Sequence, residues 1–245
     1  MRVVSLLVIA VTGCAACQSG VGAPPDFVGP FTCDVVLERA FAAYGGRDAY
    51  RRLASLQQRA RLVLVAERTQ AEAAFTLLFK APDKLRVEVR SSPSLEQVLV
   101  FNGRSGRERR SGRVPREDVR PDVERRLKYL FPLLLFDAAS GNGARLIGTT
   151  TLGDQQAFVL EAREPDRTWT AFLAKDTYLL ARLREDLAES SFDTYYADYR
   201  SISGRPLAHR FVTLASGRKV QEGTLLDVKV DEPIDDARFE ADATN

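Results

Sequence analysis

Histidine and cysteine are scarce in this chain, which has one histidine and three cysteines among 245 residues. A single histidine excludes zinc sites built from several imidazoles, and a histidine-dependent catalytic triad would have to use His209. The sequence also has no P-loop of the GxxxxGKS or GxxxxGKT type and no GxSxG nucleophile turn. We therefore predict a protein that is not an enzyme, with no catalytic residue, no metal and no cofactor.

Neither sign of charge dominates, because 35 Lys and Arg residues face 33 Asp and Glu residues and leave a net charge of +2. This balance gives no electrostatic reason to expect nucleic acid, and we predict no nucleic-acid partner. Hydrophobic residues make up 45% and charged residues 28%, which is typical of a packed globular protein. Bulk disorder and a polytopic membrane protein are both excluded.

The N-terminus has the pattern of a secretion signal. Arg2 precedes the apolar run Val3–Val11, which is too short to cross a bilayer as a stable anchor. The run ends in Val11-Thr12-Gly13-Cys14, which resembles the lipobox of bacterial lipoproteins. The resemblance implies a signal peptide over residues 1–13 and acylation of Cys14. Cys17 stays open as the alternative acylation site.

Residues 14–33 form the predicted tether between membrane and domain. Within them, 18–30 contain three Gly and three Pro, a composition typical of flexible linkers. If Cys14 is acylated, Cys17 and Cys33 remain and could pair in an oxidising envelope. If Cys17 is acylated instead, Cys33 has no partner. Acyl chains contribute about 0.8 kcal/mol per buried methylene, so two or three of them anchor a protein firmly.

The remainder, 34–245, is predicted to form a single domain of β-strands with a helical start. Apolar residues recur at helical spacing over 34–43, with Thr32 or Asp34 as N-cap, and a second short helix follows over 47–55. The pattern then changes to period two, as in 84–90, where Leu85, Val87 and Val89 would point inward from a one-sided strand. The predicted strands are 58–66, 71–80, 84–90, 95–101, 145–152, 156–163, 167–175, 178–185, 192–200, 206–214 and 219–230. Together they indicate one continuous curved antiparallel sheet.

A different helix is predicted between the two strand series, over 117–136. Val123, Leu127, Leu130 and Leu134 belong to its apolar stripe, and Pro132 should kink or end it. Two interpretations stay open: a helix that fills the open side of the sheet, or a mobile lid over an apolar cavity. Elsewhere, an acidic cluster around Glu185 lacks the spacing of a calcium-binding loop and is interpreted as a solvated turn.

The segment 104–126 is basic, with nine Arg against five acidic residues and hence a local charge of +4. One interpretation is a solvated hairpin tip after Asn102-Gly103. The other is a basic rim that meets anionic headgroups or an acidic partner, since guanidinium groups bind phosphate oxygens in pairs. The candidate rim residues are Arg107, Arg109, Arg110 and Arg113.

Short motifs over 35–240 resemble the bacterial lipoprotein-carrier and lipoprotein-receptor superfamily of outer-membrane lipoprotein sorting. They are Ala43-Tyr44-Gly45-Gly46, Ala49-Tyr50-Arg51-Arg52-Leu53, 79–86, Phe101-Asn102-Gly103 and 234–239. The resemblance implies an α+β fold in which an unclosed half-barrel of about ten antiparallel strands wraps around a few helices. It also implies a concave apolar face that holds acyl chains, without catalytic residues.

From the inward positions of the predicted strands and helix we name a candidate ligand cavity. Its lining would be Leu62, Leu64, Phe75, Leu77, Phe79, Val87, Val89, Leu130, Leu134, Trp169 and Leu173. The predicted partners are lipid or lipoprotein acyl chains, and the membrane through the acyl anchor; the identity of any protein partner stays open. The alternative is a non-catalytic scaffolding lipoprotein with a filled core and an external partner surface. The cell envelope is the expected location, and Ala15 after Cys14, where aspartate would signal retention, favours the outer membrane over the inner.

Overall fold

A computed structural model describes residues 31–66, 69–91, 95–130, 132–137 and 143–240. The predicted signal peptide, Cys14, Cys17 and most of the predicted tether lie outside these ranges. No helix within them combines the length and the apolar character needed to cross a membrane.

Within the described ranges the chain forms three α-helices, two short 3-10 helices and twelve β-strands. The α-helices are α1 (Cys33–Ala43), α2 (Arg47–Arg51) and α3 (Arg120–Leu130), and the 3-10 helices are Pro132–Phe136 and Asp236–Phe239. Before α3 come the strands β1 (Ser55–Ala66), β2 (Thr69–Lys80), β3 (Lys84–Ser91), β4 (Leu95–Phe101) and β5 (Gly106–Arg110). After it come β6 (Arg145–Leu152), β7 (Gln155–Glu164), β8 (Arg167–Ala174), β9 (Leu180–Leu187), β10 (Ser191–Ile202), β11 (Arg205–Ala215) and β12 (Arg218–Val230).

The twelve strands belong to one sheet in the order β5-β4-β3-β2-β1-β12-β11-β10-β9-β8-β7-β6. Strands that are neighbours in sequence pair with each other, except β5 and β6, and β1 also pairs antiparallel with β12. The sheet ends at β5 and β6 and is therefore unclosed, which confirms the predicted α+β fold class. The sequence predicts about ten strands; the one that no predicted segment covers is β5, whose sequence Gly-Arg-Glu-Arg-Arg lacks the apolar alternation of a strand.

Two compact units divide the chain, and each is assembled from three separate stretches. The first unit comprises the described parts of Met1–Arg47, Pro132–Ala197 and Val212–Val220. The second comprises those of Asp48–Phe131, Asp198–Phe211 and Gln221–Asn245.

In the first unit, α1 begins where the sequence predicts. Thr32 is the N-cap, and its hydroxyl accepts a hydrogen bond from the backbone N–H of Val35 at 3.3 Å. The helix buries Val36, Leu37, Ala40 and Phe41, the apolar stripe of the predicted segment. The N-terminal helix prediction is thus confirmed to within one residue.

The acidic cluster around Glu185 is a solvated turn only in part, because Glu189 is exposed in a bend but Glu185 is not. Glu185 lies inside β9 and is only 1% exposed. Its carboxylate accepts a hydrogen bond from Nη1 of Arg167 on the neighbouring strand β8 at 2.8 Å. For Glu185 the prediction was wrong because a buried carboxylate can be stabilised by a partner 18 residues away in sequence.

In the second unit, β3 is buried on both faces rather than on one. Leu85, Val87 and Val89 are at most 1% exposed, as predicted, but Arg86 and Glu88 are only 4% and 5% exposed. The Nε of Arg86 bonds Oε1 of Glu88 at 2.5 Å, and its Nη1 donates to the backbone carbonyl of Arg238. The second face is covered by the C-terminal segment, where Ile234 and Phe239 pack against Leu78, Val98 and Val100.

Candidate functional site

An apolar surface covers one face of β2, β3 and β4 in the second unit. The antiparallel register aligns alternate residues of the three strands into rows, because every second side chain points to the same face. One row consists of Leu77, Val87 and Leu99, and the next consists of Phe79, Leu85 and Phe101. All six belong to one buried cluster, the apolar cluster, whose other members are Leu53, Leu56, Val119, Val123 and Val230.

Helix α3 covers this surface unevenly. Val119, just before the helix, and Val123 in its first turn are each 1% exposed. Leu127 and Leu130, further along the same face, are only partly buried. The α-helix ends at Leu130, two residues before Pro132, as predicted, because proline has no backbone N–H for the helix and disfavours helical backbone in the residue before it. The predicted N-terminal extension to residue 117 is wrong, since the helix begins at Arg120.

Other half-buried apolar side chains pack against the apolar cluster as well. We call this whole set the apolar margin; it consists of Phe75, Leu127, Leu130, Ile202, Leu207 and Val228. Its members come from a helix and from strands β2, β10, β11 and β12. The second unit therefore has a fully buried apolar centre with an incompletely covered apolar border.

The structure brings together five of the predicted cavity residues. Leu77, Phe79 and Val87 lie in the apolar cluster, and Phe75 and Leu130 lie in the apolar margin. Three other residues of the second unit, Leu62, Leu64 and Val89, are not part of either set, although Leu62 and Val89 are fully buried.

The other three predicted cavity residues belong to the first unit. Trp169 and Leu173 on β8 are fully buried, and the Trp169 indole N–H bonds Oε2 of Glu164 at 3.2 Å. Leu134 lies half-buried in the 3-10 helix that follows α3 in sequence.

The four arginines of the predicted basic rim do not share one surface. Arg110 is 9% exposed at its side chain and pairs with Glu108 on the same strand, β5. Arg107 and Arg109 are exposed and alternate with these two residues, so they lie on the opposite face of the strand. Arg113 is exposed in the turn that follows β5.

The sequence analysis missed a buried carboxylate in this segment. Glu108 lies opposite Leu99 of the apolar cluster, and its side chain is only 6% exposed. Its Oε1 accepts hydrogen bonds from Gln97 Nε2 and from Arg110 Nη2, both at 2.6 Å. Its Oε2 accepts one from Arg116 Nη2 at 2.9 Å. The strand alternation of Glu108 and Arg110 was the only available signal, and the charge of the segment obscured it.

The network of Glu108 extends to helix α3. Arg116 also pairs with Asp122 in the first turn of α3, and Asp122 accepts a further hydrogen bond from Arg125 at 2.9 Å. Burial would lower the pKa of Arg116, but its bonds to Asp122 and the charges of both carboxylates raise it above its ordinary value. We call Glu108, Arg110, Arg116, Asp122 and Arg125 the ionic cluster. It fixes the beginning of α3 to β5, next to the apolar cluster.

Possible metal ligands, the single histidine and Cys33 are the remaining candidate groups in the described ranges. No set of three or more His, Cys, Asp and Glu residues there could hold a metal ion. His209 is buried in β11, with Nδ1 3.0 Å from the carbonyl oxygen of Leu207. Burial, followed by the charge of Asp34, raises the pKa of the Cys33 thiol to about 11, so at neutral pH it is a weak nucleophile.

Comparison with known proteins identifies the fold. No protein-family model matches the chain, and no curated protein matches its sequence. Among solved structures, a LolA superfamily protein from Nitrosomonas europaea matches with a TM-score of 0.58 and 16% identity, over 86% of this chain and 99% of that one. A DUF1329 family protein from Desulfovibrio piger matches with a TM-score of 0.58 and 12% identity, over 85% and 97% of the two chains.

A third structure is described as a putative outer membrane lipoprotein-sorting protein domain from Vibrio parahaemolyticus. It matches with a TM-score of 0.54 and 10% identity, over 84% of this chain and 97% of that one. At such identities the likeness concerns the fold. The chain thus has the fold of the structures described as LolA superfamily and outer membrane lipoprotein-sorting domain proteins.

Proposed function

We propose that this chain binds acyl chains of lipids or of lipidated proteins at the apolar margin of the second unit. The observation that carries the proposal is the uneven cover of α3, with Val123 fully buried and Leu127 and Leu130 only partly buried. An incompletely covered apolar border next to a packed apolar centre is a surface that an alkyl chain can extend. The fold shared with lipoprotein-sorting structures agrees with this use.

The free energy of burying methylene groups favours an acyl chain that lies against the apolar margin. Ten buried methylene groups contribute about 8 kcal/mol, at about 0.8 kcal/mol each. The acyl chain gains this energy where it lies against Leu127 and Leu130, which are only partly buried and still offer apolar area. A long acyl chain can therefore bind along the apolar margin with α3 in place.

The cellular setting follows from the N-terminal sequence. Acylation of Cys14 would make the protein a membrane-anchored lipoprotein on the periplasmic side of the bacterial envelope, with the outer membrane favoured by Ala15. Anchoring would keep the binding surface close to the lipid or lipoprotein that it receives. We propose a role in lipid or lipoprotein sorting on this basis.

The test replaces Leu127 by Gln and measures the binding of a fluorescent fatty-acid probe to the full chain. An unpaired amide against the alkyl chain costs about 1–3 kcal/mol, and 1.4 kcal/mol corresponds to a tenfold change in affinity. We expect about tenfold weaker binding with an unchanged circular dichroism spectrum, because Leu127 is not fully buried and Gln is a good helix former.

Leu226→Gln is the matched control, since Leu226 belongs to the same unit but is 68% exposed on β12. It should bind the probe as the parent does. Equal binding by both variants would contradict the proposal, as would the failure of the parent chain to bind the probe.

A scaffolding role is the second candidate. The tight burial of Val119, Val123 and the strand rows favours it, because those side chains fill their part of the core with their own neighbours. In that case the functional surface would lie outside the apolar cluster, and the parent chain would not bind the fatty-acid probe.

A further inference from the structure

One arginine of α3 has a buried nitrogen atom without a hydrogen-bond partner. The Nε atom of Arg126 has less than 1 Å² of accessible area and no hydrogen-bond partner. Its guanidinium forms no ion pair with any residue in the described part of the chain. Buried polar groups in folded proteins are almost always paired, so an orphaned donor next to a candidate binding surface calls for an explanation.

The position of Arg126 places it between apolar and ionic surroundings. On the helix it is three residues after Val123 and four before Leu130, so it shares a side with the residues that cover the apolar cluster. Its guanidinium group also interacts electrostatically with Glu108, Asp122 and Arg110. Arg126 therefore lies where the apolar margin meets the ionic cluster.

The neighbouring carboxylates are already occupied. Glu108 accepts hydrogen bonds from Gln97, Arg110 and Arg116, and Asp122 accepts them from Arg116 and Arg125. Together with Arg126, the ionic cluster has four guanidinium groups and two carboxylates, a net charge of 4 − 2 = +2. Two positive charges are thus uncompensated, and a bound anion would pair Arg126 and lower this local charge.

Burial lowers the pKa of Arg126 to about 10, and repulsion by Arg125 and Arg110 adds to this effect, although Glu108 and Asp122 oppose it. The side chain is still charged at neutral pH. A charged group that has lost part of its hydration gains more from an added counter-ion than a fully exposed one does.

We propose that Arg126 binds the anionic group, a carboxylate or a phosphate, of a ligand whose acyl chain lies along the apolar margin. The inference rests on the proposed function and adds the headgroup chemistry to it. The acyl chain would cover Leu127 and Leu130, and the guanidinium fork would hold two oxygens of the headgroup.

The test measures how well oleate and methyl oleate displace the neutral dye Nile red from the full chain. The two competitors share the alkyl chain, but only oleate carries a charged headgroup. The pH is kept well above the carboxyl pKa so that oleate is ionised. Arg126→Met should lower the affinity for oleate about tenfold or more, the value expected for the loss of a hydrogen bond to a charged group. The affinity for methyl oleate should be unchanged. Arg218→Met removes the same charge from an exposed position at the start of β12 and should change neither affinity.

A salt titration of the parent chain gives a second measurement that does not depend on any variant. Rising salt should weaken the binding of oleate and leave the binding of methyl oleate unaffected, because salt screens only the interaction of the charged competitor. The anion site would be overturned if Arg126→Met lowered the affinities for both competitors equally, or if salt affected both equally in the parent. The proposed function would still stand. A parent chain that binds neither competitor would overturn both.

Competition with inorganic phosphate distinguishes an anionic headgroup of the ligand from a free anion. If phosphate alone has no effect on oleate at millimolar concentration, the headgroup assignment is supported. If phosphate competes with oleate but not with methyl oleate, Arg126 serves a free anion and the headgroup assignment is overturned.

Discussion

Replacing Glu108 by Gln tests whether the ionic cluster holds α3 against β5. The substitution keeps the shape of the side chain but removes the negative charge that bonds Arg110 and Arg116. It also places an amide NH2 group among donors, with Gln97 as a further one. The side chains of Glu108 and Arg110 are only 6% and 9% exposed, so water cannot replace the lost partner.

The expected loss of stability follows from these burial values. Removing one partner of a buried ion pair costs about 3–5 kcal/mol, because the other charge stays buried without compensation. Arg116 adds little to this figure, since it is 49% exposed and keeps Asp122 as a partner. We therefore expect a loss of about 3 kcal/mol, which lowers the ratio of folded to unfolded protein by about two orders of magnitude.

Urea unfolding of the full chain, followed by far-UV circular dichroism, measures the effect. Glu96→Gln is the control, because Glu96 on the neighbouring strand is 43% exposed and pairs with Arg109 and Arg90 only at 3.4 and 3.7 Å. It should cost less than about 1 kcal/mol. The double variant Glu108→Gln with Arg110→Met should recover part of the loss. A loss below about 1 kcal/mol for Glu108→Gln would refute the reasoning.

Two further predictions concern acid stability and the anchor. Burial alone would raise the pKa of Asp231, but hydrogen bonds from Arg205 and from the backbone of Ala54, both 2.7 Å long, hold it below its ordinary value. Its contribution to stability is therefore present above the pKa of the unfolded chain, about 3.9, and is lost as the pH falls below it. Asp231→Asn should be less stable than the parent at neutral pH and lose less between about pH 5 and pH 3; parallel urea midpoints over this range would contradict it. Cys14→Ala should release the protein from membranes and stop palmitate labelling, whereas continued labelling would assign the anchor to Cys17.

Much of the local structure could be predicted from the sequence, because it depends on neighbouring residues. The cap of α1 needs only the hydroxyl of Thr32, which accepts a hydrogen bond from the backbone N–H of Val35 three residues later. The turn between β4 and β5 needs only the side chain of Asn102, which accepts hydrogen bonds from the backbone N–H groups of Arg104 and Ser105. Strand alternation likewise indicated that Leu77 and Val87 share a face.

The candidate site was only partly predictable. An apolar surface under an apolar helix follows from two periodicities, and Phe75, Leu77 and Leu130, which the sequence analysis names together, do lie in or against the apolar cluster. That they line a ligand cavity stays a prediction. Arg126 was hidden among the nine arginines of its segment, since composition cannot say which guanidinium finds a carboxylate. That assignment depends on which strand the helix packs against.

The sequence by itself determined the fold class, most of the strands and the turns between them, since period-two alternation and turn residues act over a few positions. Only the tertiary structure decided which polar groups are buried. Arg86 and Glu88 are covered because the C-terminal segment packs over β3, and Glu108 is buried because α3 and Arg116 lie against β5. Each contact joins residues distant in sequence, and the loss of hydration is offset only when the distant partner is in place.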